Sequence, residues 1–159
     1  MYSYYDKTNK QFPELLVSTK ASEPVCNIAV TSTPKIFIVN GKQIRDCMTK
    51  SNHAVFYFWK PLCTSELCYA VDVVQRECSK KNIDLYIVAE YYDGKTMQKR
   101  YTIDHPIFGI DTKYYRSSFC DTYVPRFIED ITGAPIRNIK FVEFKNGSIG
   151  RKFERLEDL

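Results

Sequence analysis

The sequence has no long apolar run and no block of charge of one sign. No stretch approaches the roughly 20 consecutive apolar residues that a membrane-spanning helix needs. The net charge is +4, and the basic and acidic residues alternate through most segments. Nucleic-acid binders usually concentrate their basic residues in a stripe or block. We therefore expect neither a membrane span nor a nucleic-acid partner.

Signals for metal binding and for secretion are also missing. The two histidines, His53 and His105, are far apart in the sequence, and no paired C-x-x-C half-sites accompany them. We therefore expect no structural zinc and no other cofactor. The N-terminus lacks the basic segment and apolar stretch of a signal peptide. The chain is thus expected to be either cytosolic or a mature form from which a leader was removed.

What the sequence does contain is material for one domain with a core. Of its 159 residues, 44% are hydrophobic and 14% are aromatic, which favours strands over a Leu/Ala-rich helical bundle. The weakly patterned residues 1–24 are interpreted as an N-terminal extension, and residues 25–159 as the domain. The six cysteines are too sparse for a disulfide scaffold that replaces a core, so their redox chemistry is the more informative question.

A strand, a helix and a second strand are predicted in the middle of the chain. Residues 54–59 form an unbroken apolar and aromatic run, typical of a strand covered on both faces, and Lys60-Pro61 ends it. Residues 64–82 follow the period of an amphipathic helix, with Thr64 or Ser65 as N-cap. Its apolar stripe consists of Leu67, Val71, Val74 and Cys78. Together with the apolar run at 83–91, these segments predict a right-handed βαβ unit.

Shorter elements are predicted on both sides of this unit. Two short strands are expected at 26–30 and 35–39, followed by an Asn40-Gly41 turn and a candidate strand at 43–45. Helices are expected at 113–122 and 125–132, the second capped by Gly133. Two alternating runs around Asn146-Gly147 predict a C-terminal β-hairpin.

The order βαβ, helix, hairpin is that of the thioredoxin core, and two motifs agree with it. Residues 58–63, Phe-Trp-Lys-Pro-Leu-Cys, resemble the thioredoxin-family pattern Phe-Trp-x-x-x-Cys, in which the cysteine starts a helix. Residues 141–147 resemble the family's final hairpin. The resemblance covers roughly residues 54–154. It implies a three-layer α/β fold, with a central mixed sheet, a C-terminal β-hairpin and helices on both faces.

Cys63 is the candidate nucleophile under this resemblance. Unpaired N–H groups and the dipole at a helix start stabilise a thiolate, which is the reactive species. The family's second cysteine would stand at Glu66, and the nearest candidate is instead Cys68. Two residues five apart in one helix have Cα atoms roughly 8–9 Å apart, beyond the limit of about 7 Å for a disulfide. A Cys63–Cys68 bond therefore requires Cys63 to lie in a loop before the helix, which Pro61 favours.

A second motif competes for the same residues. Pro61, Ser65 and Cys68 resemble the peroxiredoxin pattern Pro-x-x-x-Thr/Ser-x-x-Cys, although Lys60 stands where that family has an aromatic residue. The resemblance implies that Cys68 attacks peroxide, that Ser65 orients it, and that a guanidinium assists. The candidates for that guanidinium are Arg116 and Arg126.

Several supporting residues follow from the thioredoxin resemblance. Trp59 is expected to line the core and to shield the active site. The family also has a cis-proline that faces the cysteine, for which Pro125 and Pro135 are candidates. Neither has the usual spacing to the hairpin, and most X-Pro bonds are trans, so trans is expected for both.

The remaining cysteines and His53 receive structural interpretations. Cys78 is expected in the core, and Cys26 and Cys47 are either a structural pair or buried thiols. Cys120 is a candidate resolving thiol. His53 is expected to be a loop residue.

Two classes of function remain open besides the peroxidase. The first is a thiol–disulfide redox protein in which Cys63 attacks and Cys68 resolves, with a protein thiol or disulfide as its partner. Its composition and divergent motif are similar to thioredoxin-like proteins of the bacterial cell envelope or periplasm. The second is a non-catalytic binding or structural module that retains the fold.

Overall fold

The computed structural model describes residues 1–136 and 138–159, and these residues form an α/β structure around one mixed sheet. The helices are α1 (Tyr5–Gln11), α2 (Gly41–Lys50), α3 (Val71–Lys80), α4 (Gly94–Met97) and α5 (Cys120–Thr132). The strands are β1 (Leu16–Ser18), β2 (Ile36–Val39), β3 (His53–Trp59), β4 (Asp84–Ala89), β5 (Ile107–Ile110), β6 (Phe141–Lys145) and β7 (Ser148–Phe153). A short 3-10 turn, Leu156–Asp158, follows the last strand.

The sheet has seven strands in the order β1-β2-β5-β4-β3-β6-β7. The strands from β1 to β3 in this order are parallel, and β6 and β7 are antiparallel to their neighbours. β3 and β4 pair from Ala54 opposite Asp84 to Trp59 opposite Ala89. The predicted strand, helix and strand and the predicted C-terminal hairpin are therefore confirmed. Because β3, β4 and β5 are parallel, their carboxyl ends lie at the same end of the sheet.

Hydrophobic side chains cover both faces of the sheet. One core combines strand residues such as Tyr57 and Ile87 with α1 and α3, and the other combines Phe56 and Val88 with α2 and α5. This explains why residues 54–59 are apolar without alternation, since both faces of β3 are buried. The mixed sheet with helices on both faces agrees with the architecture expected from the sequence.

The region around Asn40 differs from the prediction of a turn and a strand. Asn40 is the N-cap of α2: its side chain accepts from the N–H of Gln43, whose own side chain accepts from the N–H of Asn40. This capping box satisfies two N–H groups that a helix start leaves unpaired, so residues 43–45 are helical. The segment 26–30, expected to be a strand, contains none.

Residues 1–24 contribute to the same sheet as the rest of the chain. β1 pairs in parallel with β2 at the sheet edge, from Leu16 opposite Ile36 to Ser18 opposite Ile38. Tyr5 in α1 is buried and meets Tyr92 edge-on, with ring centroids 5.2 Å apart. The segment interpreted as an extension thus supplies an edge strand and core residues.

The C-terminal half contains one long helix where two were expected. α5 begins at Cys120 and includes Pro125, whereas residues 113–116 form turns and Phe119 forms an isolated antiparallel bridge with Tyr2. The predicted C-cap is confirmed: Gly133 has φ 82°, and its N–H donates to the carbonyl of Glu129. Among the described residues, no helix is long and apolar enough to cross a membrane.

Candidate functional site

The two candidate catalytic cysteines lie in a loop between the carboxyl end of β3 and the start of α3. Their Cα atoms are 5.9 Å apart and their sulfurs are bonded to each other. Two turns shape the loop, since the N–H of Cys63 donates to Lys60 O and the N–H of Cys68 donates to Ser65 O. The geometric condition for a Cys63–Cys68 bond, a loop before the helix, is therefore met.

The predicted start of the helix after the loop is wrong. α3 begins at Val71 after Ala70, its N-cap, and not near Thr64 or Ser65. A helix across residues 63–68 would hold the two Cα atoms too far apart for the bond. Leu67 consequently leaves the apolar stripe and is 41% exposed, whereas the other three members of the predicted stripe are fully buried. The helix therefore does not start at Cys63, which precedes Ala70 by seven residues.

Side chains from the sheet hold the loop at both ends. The N–H of Leu62 donates to the Tyr91 hydroxyl at 2.9 Å. The Tyr57 hydroxyl donates to the carbonyl of Tyr69 at 2.7 Å, and burial raises the pKa of this tyrosine. Tyr57 lies within β3 and Tyr91 follows β4, so both hydrogen bonds fix the loop against the sheet. The cysteines between them remain half-buried.

Polar groups lie closer to Cys68 than to Cys63. The Ser65 hydroxyl donates to Cys68 Sγ at 3.4 Å and lies 3.7 Å from Cys63 Sγ. Lys140 Nζ lies 3.9 Å from Cys68 Sγ and also donates to the carbonyl of Leu67. Lys140 directly precedes β6, which makes it a neighbour of the loop through the sheet rather than through the sequence.

A buried carboxylate lies behind the loop. Glu90 follows β4, and its Oε2 atom is 3.6 Å from Lys60 Nζ. Among the described residues this buried oxygen has no hydrogen-bond partner, and burial raises the pKa of Glu90. Burial, followed by the charge of Lys60, lowers the pKa of Lys140. The two lysines and Glu90 therefore form a charged cluster beside the disulfide.

A groove of about 200 Å³ opens onto the disulfide. Both cysteines line it, together with two predicted supporting residues, Trp59 and Pro61. Trp59 is buried at the end of β3, and its ring meets Tyr101 edge-on with centroids 5.8 Å apart. The groove offers an aromatic wall to a group that approaches the sulfurs.

Neither candidate cis-proline lines the groove on the disulfide. Pro125 lies inside α5 and Pro135 follows that helix, and no peptide bond among the described residues is cis. Trans geometry at both prolines is as expected. Lys140 stands directly before β6, whereas Pro135 precedes that strand by six residues.

The groups proposed for the peroxidase alternative and for a resolving thiol lie elsewhere. Arg126 Nη1 donates to the carbonyl of Tyr115 at 2.7 Å, and Arg116 lies in a turn after β5. Cys120 is half-buried at the start of α5, with Sγ 3.1 Å from the Tyr123 hydroxyl, and burial raises the pKa of its thiol. Within the described part of the chain, no hydrogen bond joins these residues to Cys63 or Cys68.

The other cysteines have structural surroundings. Cys26 and Cys47 form a second disulfide, with Cα atoms 5.2 Å apart, which decides between the two interpretations of this pair. Cys78 is fully buried, as expected, and burial raises the pKa of its thiol to about 12.

The prediction that His53 is a loop residue is wrong, because His53 begins β3. Its Nε2 lies 2.8 Å from Glu143 Oε2. Within residues 1–136 and 138–159, no group of three or more His, Cys, Asp or Glu side chains is arranged to hold a metal ion.

Comparison with protein-family models, curated proteins and solved structures finds no match to this chain. The site is therefore defined by its geometry alone. Sequence reasoning identified the two cysteines, Trp59, Pro61 and Ser65, but it missed Lys140 and Glu90. The position of Lys140 immediately before the predicted hairpin strand was the available signal.

Proposed function

We propose that this protein is a thioredoxin-like thiol–disulfide oxidoreductase whose reacting pair is Cys63 and Cys68. The observation that carries the proposal is a disulfide in a half-exposed loop, held at both ends by the sheet and open to a groove with an aromatic wall. Structural disulfides are usually protected by burial, whereas exposed ones are the labile or catalytic ones.

The architecture supports a thioredoxin-like assignment. β3, α3 and β4 form a parallel unit, α5 follows, and the antiparallel β6 and β7 end the sheet beside β3. α2 and α5 cover one face and α3 covers the other. β1, β2 and β5 extend the sheet beyond β4. A second disulfide is typical of proteins in oxidising compartments and favours the cell envelope.

The proposed reaction starts from the reduced pair. The Cys63 thiolate attacks one sulfur of a protein disulfide, and that bond breaks with release of one substrate thiolate. The Cys68 thiolate then attacks the Cys63 sulfur in the mixed disulfide and releases the second substrate thiolate. The substrate gains two electrons, and the Cys63–Cys68 disulfide forms again. A dithiol donor returns the two electrons to the pair.

Reduction of insulin with dithiothreitol as the donor tests this function. The wild-type protein is expected to accelerate insulin precipitation, and Cys63→Ser is expected to remove the acceleration. Cys120→Ala is the matched control, since it removes another half-buried thiol outside the loop, and it is expected to retain the full rate. A wild-type rate equal to that of Cys63→Ser contradicts the proposal and favours the non-catalytic module.

The contact between Ser65 and Cys68 favours peroxidase activity as a second candidate. In that case Cys68 alone attacks hydrogen peroxide, giving a sulfenic acid and water. Peroxide consumption with dithiothreitol would then persist in Cys63→Ser and disappear in Cys68→Ser. Loss of consumption to the same background in both variants excludes this candidate.

A further inference from the structure

We propose that Lys140 is a positioning residue that stabilises Cys68 as a thiolate, so that an incoming thiol attacks Cys63 and Cys68 is the sulfur that leaves. This inference rests on the proposed function, because it concerns the opening of the same disulfide. It assigns the choice of the attacked sulfur to a residue 72 positions from Cys68 in the sequence, and Cys63 carries the mixed disulfide in both directions of the exchange.

Lys140 is held in place through both its side chain and its backbone. Its Nζ donates to the carbonyl of Leu67, within the loop, and lies 3.9 Å from Cys68 Sγ. Its own carbonyl accepts from the N–H of Phe58 in β3 at 2.8 Å. The backbone of Lys140 is thus part of the sheet while its side chain reaches the loop. A cation fixed in this way needs little rearrangement when charge develops on the sulfur.

The two sulfurs differ in the groups that can stabilise a negative charge. Cys68 Sγ has the Lys140 ammonium at 3.9 Å and accepts the Ser65 hydroxyl at 3.4 Å. Cys63 Sγ has only the Ser65 hydroxyl, at 3.7 Å, among the described residues. Cys68 also precedes the N-cap of α3 by two residues, and Cys63 by seven. These differences all favour the thiolate on Cys68.

The other charged groups of the site do not remove this difference. Lys60 pairs with Glu90, so its ammonium is directed to the carboxylate. Lys60, Glu154 and Glu90 are the charges that act on Lys140, and Glu66 lies exposed in the loop itself. Of these charged groups, Lys140 alone contacts a sulfur. Replacing Lys140 is therefore the most direct test of the site.

The proposed step balances as a thiol–disulfide exchange. The thiolate of an incoming dithiol attacks Cys63 Sγ, a mixed disulfide forms there, and the bond to Cys68 breaks. Cys68 keeps the electron pair as a thiolate beside Lys140. The second thiolate of the dithiol then attacks the mixed disulfide and releases Cys63. The dithiol is oxidised to a disulfide and the pair gains two electrons.

Rates of iodoacetamide alkylation of the reduced protein, measured against pH and mapped by mass spectrometry, test the assignment. In the wild type, Cys68 is expected to have a lower pKa than Cys63. Lys140→Met is expected to raise the pKa of Cys68 by about one unit, the lower end of the effect of a nearby opposite charge, and to change Cys63 less. Lys140→Arg is expected to restore the lower pKa. Lys145→Met, at the other end of β6, is the matched control and is expected to have no effect.

A second measurement tests the direction of attack. The oxidised protein is treated briefly with glutathione, quenched with acid and mapped for mixed disulfides, which are expected on Cys63 in the wild type. Equal changes at both thiols in Lys140→Met, or a mixed disulfide mainly on Cys68, overturn the inference. Both readouts are independent of insulin reduction, so an inactive protein with an acidic Cys68 would contradict only the proposed function.

Discussion

A buried and a partly buried carboxylate show how their surroundings shift their pKa in opposite directions. Glu143 in β6 accepts from Arg151 at 3.0 and 3.2 Å and lies 2.8 Å from His53 Nε2. The Arg151 hydrogen bonds, aided by His53, lower the pKa of Glu143 from 4.5 to about 2. Glu90 Oε2 lies 3.6 Å from Lys60 Nζ, and burial raises the pKa of Glu90. The first carboxylate therefore stabilises the fold, and the second is held near the disulfide at an energetic cost.

Replacement of Glu143 by Gln is expected to destabilise the protein by up to about 3.5 kcal/mol near neutral pH, given about 1.4 kcal/mol for each pKa unit. Because its pKa is lower in the folded state, Glu143 contributes its full stability above pH 4.5 and loses it as the pH falls toward 2. The difference between the variant and the wild type should shrink over that range. Urea denaturation at several pH values measures it. Glu157→Gln, which alters an exposed pair with Arg155, is the control, and an equal loss there would contradict the explanation.

At the scale of elements, one dipeptide shows how far the sequence could predict the structure. Asn40-Gly41 and Asn146-Gly147 both indicate a turn, yet only the second forms one. Asn40 has φ −100° and caps α2 because Gln43 completes the capping box, whereas Asn146 has φ 50° between β6 and β7. The Asn-x-x-Gln spacing was visible in the sequence but competed with a stronger turn signal. β3 and the hairpin were predictable because their patterns have no such competitor.

Gly147 and Gly133 provide a matched test of the hairpin turn. Both have positive φ, 79° and 82°, but a Cβ atom on Gly147 would lie 2.8 Å from the carbonyl oxygen of Thr49, whereas one on Gly133 would meet nothing within 4 Å. Gly133→Ala is expected to cost about 1 kcal/mol for the left-handed backbone, and Gly147→Ala clearly more because of the added contact. Thermal or urea denaturation gives both values. Equal losses would show that the approach to Thr49 does not matter.

At the scale of the whole molecule, the sequence predicts segments better than the contacts between them. β5 lies between β2 and β4, an order set by pairing between distant parts of the chain. The same limit applies to the site: the spacing of Cys63 and Cys68 was visible, but the approach of Lys140 to Cys68 depends on β6 pairing with β3. The delayed start of α3 likewise goes with a covalent bond between Cys63 and Cys68 that the helical pattern does not indicate.

The two disulfides are expected to have separate roles in stability and in chemistry. Cys26–Cys47 joins residues 21 apart and ties the connection between β1 and β2 to α2, whereas Cys63–Cys68 joins residues only five apart. Because a longer closed loop restricts the unfolded chain more, loss of the first bond should cost about 3 kcal/mol and loss of the second about 2 kcal/mol.

The double variants Cys26→Ala/Cys47→Ala and Cys63→Ala/Cys68→Ala, compared by urea denaturation and insulin reduction, separate these roles. The first is expected to lose more stability and, while folded, to retain the wild-type rate of insulin reduction. The second is expected to lose less stability and all activity. Loss of insulin reduction in the folded first variant would mean that the Cys26–Cys47 bond takes part in the exchange. It would then have to receive electrons from the loop across the sheet, because α2 and α3 cover opposite faces.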